Sequence, residues 1–151
     1  MSTLFLYCSF TGSGDVVAEA FRERGAEIRK VTPKKALPKS FFCAMMKGGF
    51  LAAIGHKAPL VGFDSNFEGY DRVVLGSPIW NGRLSCPINT VLAESDFTGK
   101  ELAFVLYAGG GEAPKAVEKL QTAYPNAKVI VLKEPKKNPE ELDKLSVLFD
   151  A

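Results

Sequence analysis

Apolar and polar positions along this chain switch between two periods. Thr3 to Cys8 is a nearly continuous apolar run, as expected of a strand covered on both faces of a parallel sheet. Asp15 to Arg24 instead places Val16, Val17, Ala20 and Phe21 on one helical stripe, and Gly25 follows as a stop. Glu27 to Val31 is a shorter, more polar strand suited to a sheet edge. Ser40 to Ile54 spaces Phe41, Phe42, Met45, Met46, Phe50, Ala53 and Ile54 as a helix, weakened at Gly48-Gly49. Arg72 to Gly76 and Glu101 to Tyr107 read as central strands, and Lys128 to Leu132 as a fifth strand. Ser85 is placed to cap a helix with Pro87 in its first turn. Ala113 to Tyr124 forms the next helix, and Pro139 to Phe149 closes the chain as another.

Strands and helices in strict alternation, without a repeat or a linker, predict a single α/β domain over residues 1–151. The sheet is parallel, its crossovers are right-handed, and helices cover both faces. In such sheets a ligand sits beyond the carboxyl ends of the strands, where the strand order switches direction. Three strand ends carry unusual loops: Ser9 to Gly14, Ser77 to Gly82 and Tyr107 to Gly111. In a sheet of order 2-1-3-4-5 these are the ends of neighbouring strands, so the loops converge.

Composition narrows the picture. At 46% apolar and 24% charged residues the chain reads as globular. No apolar stretch approaches the ~20 residues of a membrane span, and no basic residues precede the first strand, so the cytoplasm is the expected compartment. A net charge of +2 gives no reason to expect nucleic acid. Cys8, Cys43 and Cys86 contain no CxxC pair, and with His56 as the only histidine no metal site is expected. The lysines at 34, 35 and 39, and at 133, 136 and 137, read as solvated faces, with a docking surface for an acidic redox partner as the alternative.

The first loop, Ser9-Phe10-Thr11-Gly12-Ser13-Gly14, joins a strand to a helix. Free N–H groups and the helix dipole favour an anion there, hydroxyls add donors, and glycine allows close approach. The loop does not match rival phosphate motifs. Val17 stands where a dinucleotide fingerprint has its third glycine, and Lys30-Val31-Thr32 lacks the acidic residue that takes a ribose hydroxyl. Gly109 to Lys115 lacks the Gly-Lys-Ser/Thr of a P-loop. Cys8-Ser9 and Ser77-Pro78 stand where a receiver domain carries carboxylates. The second loop, Ser77-Pro78-Ile79-Trp80-Asn81-Gly82, offers an aromatic face. The third, Tyr107-Ala108-Gly109-Gly110-Gly111, offers bare backbone. Together they suit a planar ring joined to a monophosphate.

Ser9-x-Thr11-Gly12-x-Gly14 resembles the Ser/Thr-x-Thr-Gly-x-Thr phosphate loop of the flavodoxin-like family. Gly76-Ser77-Pro78-Ile79-Trp80-Asn81-Gly82, with Pro87 after it, resembles the Gly-Ser/Thr-Pro-x-Trp segment of its short members. The resemblance spans nearly the whole chain. It implies a three-layer α-β-α sandwich whose five-stranded parallel sheet has the order 2-1-3-4-5. It also implies FMN, with its phosphate on Ser9 to Gly14 and its ring between Ser77 to Gly82 and Tyr107 to Gly111. The implied function is an electron carrier working between redox partner proteins, as a monomer or homodimer. The alternatives are an FMN-dependent NAD(P)H:quinone oxidoreductase and a flavin-free partner-binding domain. No catalytic side chain is implied, since the flavin would carry the electrons. Two features depart from the pattern. Gly14 replaces the terminal hydroxyl, and the slightly basic charge differs from that of strongly acidic carriers.

Overall fold

A computed structural model of the chain describes residues 2–9, 12–33, 60–80 and 82–149. The helix expected over Ser40 to Ile54, together with Cys43, His56 and Lys34, Lys35 and Lys39, lies outside the described residues.

Strand β1 (Thr3–Tyr7) leads to helix α1 (Ser13–Glu23) and strand β2 (Glu27–Lys30). Strand β3 (Arg72–Trp80) turns into the short strand β4 (Arg83–Leu84), followed by helix α2 (Cys86–Glu94). Strand β5 (Glu101–Ala108), helix α3 (Pro114–Ala123) and strand β6 (Lys128–Lys133) complete the sheet. The chain closes with a 3₁₀ helix over Pro139–Leu145 and a single α-turn, α4 (Ser146–Phe149). Strands and helices alternate as expected from β4 onward and from β1 to β2; the helix expected between β2 and β3 lies outside the described residues, and β3 runs directly into a further strand.

The main path of the sheet runs β2-β1-β3-β5-β6 and is parallel throughout. That is the expected 2-1-3-4-5 order, with β4 added as an antiparallel sixth strand paired to the end of β3. One apolar layer packs Leu4, Leu6, Leu75, Phe104 and Leu106 against Ile88 and Val91 of α2 and Ala116 and Leu120 of α3. The opposite layer packs Phe5, Val74 and Val105 against Val17 and Phe21 of α1 and Leu145 and Leu148 of the closing segment. Alternate residues of β1 thus feed opposite faces, as the two-residue period of a strand requires. Phe5 is fully buried and stacks between Tyr7 and Phe21, with ring centroids 5.2 and 4.3 Å away. Gly76 passes directly beside it, where a β-carbon would stand 2.6 Å from the ring edge.

Two details differ from the sequence reading. Ser77 to Trp80 extend β3 rather than forming a loop, because Ile79 and Trp80 pair with Leu84 and Arg83 of β4. The closing helix is mostly 3₁₀, and at its start Glu141 turns back to accept the Lys133 N–H at 2.7 Å.

The buried Arg72 lies opposite Glu101 in the register of β3 and β5, and pairs with it at 3.3 Å. The same guanidinium donates to the carbonyl of Leu148, tying α4 to the end of the sheet where β3 begins.

Candidate functional site

The ends of β1, β3 and β5 are adjacent, so the three loops meet at the switch between β1 and β3. The first loop ends in Gly12, the left-handed N-cap of α1 (φ 95°). The backbone N–H groups of Gly12 and Gly14 both donate to the Ser9 hydroxyl oxygen, at 3.2 and 3.1 Å. The Ser9 hydroxyl thus takes both amides and draws the loop tight at the N-terminus of α1, where the helix dipole favours an anion. A helix N-terminus of this kind suits an anion such as a phosphate. Ser13 and Gly14 are buried beneath it. Phe10 and Thr11 lie outside the described residues.

Gly14 has a steric reason. A β-carbon there would stand 2.7 Å from the Ser9 β-carbon, 2.7 Å from the Tyr107 phenol oxygen and 2.9 Å from the Cys8 carbonyl oxygen. The Tyr107 hydroxyl donates to that carbonyl. The loop is thus held from below by β5, and the position where the family's pattern has a hydroxylated residue is filled by a phenol from another strand. The family pattern gives no sign of this substitution, because Tyr107 and Gly14 are far apart in sequence.

The second and third loops divide into supporting and exposed parts. Ser77 is buried, and its hydroxyl donates to the Pro78 carbonyl and accepts the Ser85 N–H, at 2.8 and 3.1 Å. Ser85 is the N-cap residue of α2, yet its side chain makes no capping bond. Its hydroxyl instead lies 3.0 Å from that of Ser77 and 2.9 Å from the Cys8 sulfur, which links β1, β3 and α2 under the site. Pro78 and Ile79 are half-buried. Trp80 is 7% exposed at the end of β3, so its ring packs into the protein. Gly82 makes the turn to β4 with φ 72°; Asn81 lies outside the described residues. In the third loop Tyr107 and Ala108 are buried, whereas Gly109 and Gly110 are exposed. Open space surrounds the place a Gly110 side chain would take. A bare backbone edge therefore stands beside the phosphate-type loop. That combination fits a planar group bearing a phosphate.

A fourth segment, which sequence reading assigned to solvent, also reaches the site. The Glu134 N–H donates to the Ala108 carbonyl at 3.3 Å, and a β-carbon on Gly111 would stand 3.1 Å from that of Lys133. Lys136 continues to the first loop. At the base of α1, Asp15 accepts from the Tyr7 hydroxyl at 2.7 Å and from Lys30 at 3.0 Å. Burial works against its charge, but these two hydrogen bonds and the charges of Lys30 and Lys136 hold its carboxyl below the usual range.

A separate open cleft lies at the opposite end of the sheet, between Ser95 to Leu102 and Ala123 to Ala127, away from all these loops. No cluster of potential metal ligands occurs among the described residues. Among them, no helix is long and apolar enough to cross a membrane.

The family model described as flavodoxin matches residues 52–145. The chain belongs to the flavodoxin family. The match takes in the second and third loops and the turn after β6, while the first loop precedes it. Among the curated proteins none matches. Solved structures establish the same fold. A candidate flavoprotein from Bacteroides eggerthii is 18% identical with a TM-score of 0.74, covering 99% of both chains. A second from Bacteroides uniformis is 24% identical with a TM-score of 0.72, over 87% of this chain and 90% of that one. A flavoprotein from Lactobacillus acidophilus, solved in complex with FMN, is 24% identical with a TM-score of 0.68, over 96% and 98%.

The groups under the loops resist ionisation. Burial pushes the Cys8 thiol up to about 12, and burial also raises the Tyr7 and Tyr107 phenols. The folded protein therefore keeps protons that the unfolded chain releases at ordinary thiol and phenol values. Stability is then complete below those values and falls as pH rises through about 9 toward 12. Melting curves across that range are expected to shift steadily downward. A melting temperature that stays level over this range would contradict the buried placement.

Proposed function

We propose that this chain binds FMN and serves as an electron carrier between protein partners. The convergence of the Ser9–Gly14 loop with the open Gly109–Gly110 edge carries this reading. The N-terminus of α1, with its loop drawn tight on the Ser9 hydroxyl, suits the phosphate, and the glycine edge suits the flavin ring. When bound, the flavin supplies the redox chemistry. The chain's part is to hold the phosphate, to fix the ring's position through backbone groups, and to limit water around it. The complex of the Lactobacillus acidophilus protein with FMN supports the choice of cofactor.

The described connections around the loops are short: Gly82 turns β3 into β4, and Gly109 to Gly111 lead almost directly to α3. Short connections after β3 and β5 supply no pocket for a second substrate and favour a carrier over an NAD(P)H:quinone oxidoreductase. Exposed Lys133 and Lys137 flank the glycine loop and favour an acidic partner, whose electron transfer would slow with added salt.

Purified protein is expected to take up one FMN and turn yellow. With FMN bound, NAD(P)H alone should give no sustained quinone reduction. Anaerobic titration with a chemical reductant, followed by absorbance, checks uptake and reduction together. Steady turnover of quinone by NAD(P)H would replace the carrier reading with the oxidoreductase. A protein that takes up no FMN would remove both.

A further inference from the structure

The turn after β6 brings a cation from the far end of the chain onto the first loop. Its shape is set by its own hydrogen bonds. The Lys137 and Asn138 N–H groups both donate to the Glu134 carbonyl, at 2.9 and 3.0 Å. The Asn138 amide donates to the Lys133 carbonyl at 2.9 Å. Glu134 adopts a left-handed φ of 36°, which a non-glycine residue holds only when its surroundings impose it. Pro135 is buried behind it. The turn is thus a preformed mount, and Lys136 is carried on it.

The Lys136 side chain runs along Gly12. A β-carbon on Gly12 would stand 3.2 Å from the ammonium nitrogen and 3.4 Å from Cδ. Gly12 is the N-cap of α1, and its N–H, like that of Gly14, is taken by the Ser9 hydroxyl. Lys30 pairs with Asp15 at 3.0 Å, and Lys137 lies 3.7 Å from Glu134. Tyr7 also donates to Asp15. Lys30 and Lys136 both set positive charge near the acidic residue in the first turn of α1, and Lys136 also lies beside Gly12 of the first loop.

We propose that Lys136 is a phosphate-recognition residue, supplying from the β6 turn the charged donor that complements a loop with glycine at position 14. This rests on the FMN reading and deepens it. The ligand class it selects is a phosphate monoester dianion, so it discriminates FMN from riboflavin. Lys136 binds and takes no part in electron transfer.

The test compares FMN and riboflavin affinities, from quenching of flavin fluorescence, in the wild-type chain, Lys136→Gln and Lys136→Arg. Lys119→Gln, on the exposed face of α3, controls for loss of charge alone. Lys136→Gln is expected to weaken FMN about tenfold, the scale of one charge-assisted hydrogen bond, and to leave riboflavin unchanged. Lys136→Arg should recover most of the loss. The salt dependence of FMN binding should be shallower in Lys136→Gln than in the wild type. An unchanged FMN affinity, or an equal loss for riboflavin, would overturn the proposal. A second arm reads inorganic phosphate through the melting temperature of the flavin-free chain. Wild-type protein should gain more from phosphate than Lys136→Gln does. If no flavin binds to the wild type, the FMN reading fails, and this arm alone decides whether Lys136 serves an anion. Equal gains there would overturn that role too.

Discussion

Gly14→Thr is expected to abolish measurable FMN binding, although it restores the hydroxyl that ends the family's usual phosphate loop. The space that a side chain needs is already filled. Its β-carbon would meet the Ser9 β-carbon and the Tyr107 phenol oxygen at 2.7 Å each, and the Cys8 carbonyl oxygen at 2.9 Å. Two of these neighbours cannot yield cheaply. The Cys8 carbonyl lies just beyond β1, and the Tyr107 phenol is fixed by its bond to that carbonyl. Relief must come from lifting the loop, which moves the Gly14 N–H off the Ser9 hydroxyl it shares with Gly12. Overpacking of this kind costs roughly 1–3 kcal/mol of stability. The measurements are a melting curve and an FMN titration. Tyr107→Phe combined with Gly14→Thr should recover only part of the loss, because the contacts with Ser9 and Cys8 remain. If Gly14→Thr alone bound FMN as well as the wild type, the steric account would be wrong.

Phe5→Ala is expected to be the most destabilising single truncation beneath the site. Phe5 is fully buried, and its ring lies within a stack formed with Tyr7 and Phe21. Removing a buried phenylalanine costs about 3–5 kcal/mol. For a domain of this size that lowers the melting temperature by roughly 6–20 °C. Its neighbours explain why function should fall with stability. Tyr7 holds Asp15 in the first turn of α1, and Phe21 anchors the body of that helix. With the stack gone, α1 loses part of its seat and the N–H groups at its start are less well placed. Flavin affinity of the folded variant, measured well below its melting temperature, should therefore decrease. A melting temperature within a degree or two of the wild type would mean that the cavity collapses without cost.

The architecture was readable from periodicity because the buried strands are unusually uniform. Thr3 to Tyr7 and Arg72 to Leu75 are buried at every residue, and such runs leave little choice but the centre of a parallel sheet. Edge strand β2, with two exposed and two half-buried residues, announced its place by its polarity. The place of the first loop was readable because the apolar run of β1 stops at Cys8 and the helical stripe of α1 begins at Val16. Contacts between residues distant in sequence were not readable. Ser85 has the residue type and position of a cap, but its hydroxyl is drawn to Ser77 and Cys8 on neighbouring strands. Trp80 looks like a loop aromatic until β4 folds back and pairs with it. Lys136 is an exposed lysine in a polar stretch, and no local pattern distinguishes it from Lys137. Its position comes from the sheet order, from the docking of Glu134 on Ala108, and from the return of the 3₁₀ segment toward α1.

The Arg72 tie bears on when the site is completed during synthesis. Arg72 holds Leu148, and Leu145 and Leu148 pack beside α1. The β6 turn that carries Lys136 lies between the last strand and this closing segment. A nascent chain that has emerged only as far as β5 has its first loop but neither the turn nor the segment that seats it. Contacts this distant in sequence form late, because a long loop must close before they return any energy. On the proposed role of Lys136, phosphate recognition would wait until the carboxyl-terminal residues dock, and a chain truncated before the closing segment is expected to bind FMN more weakly.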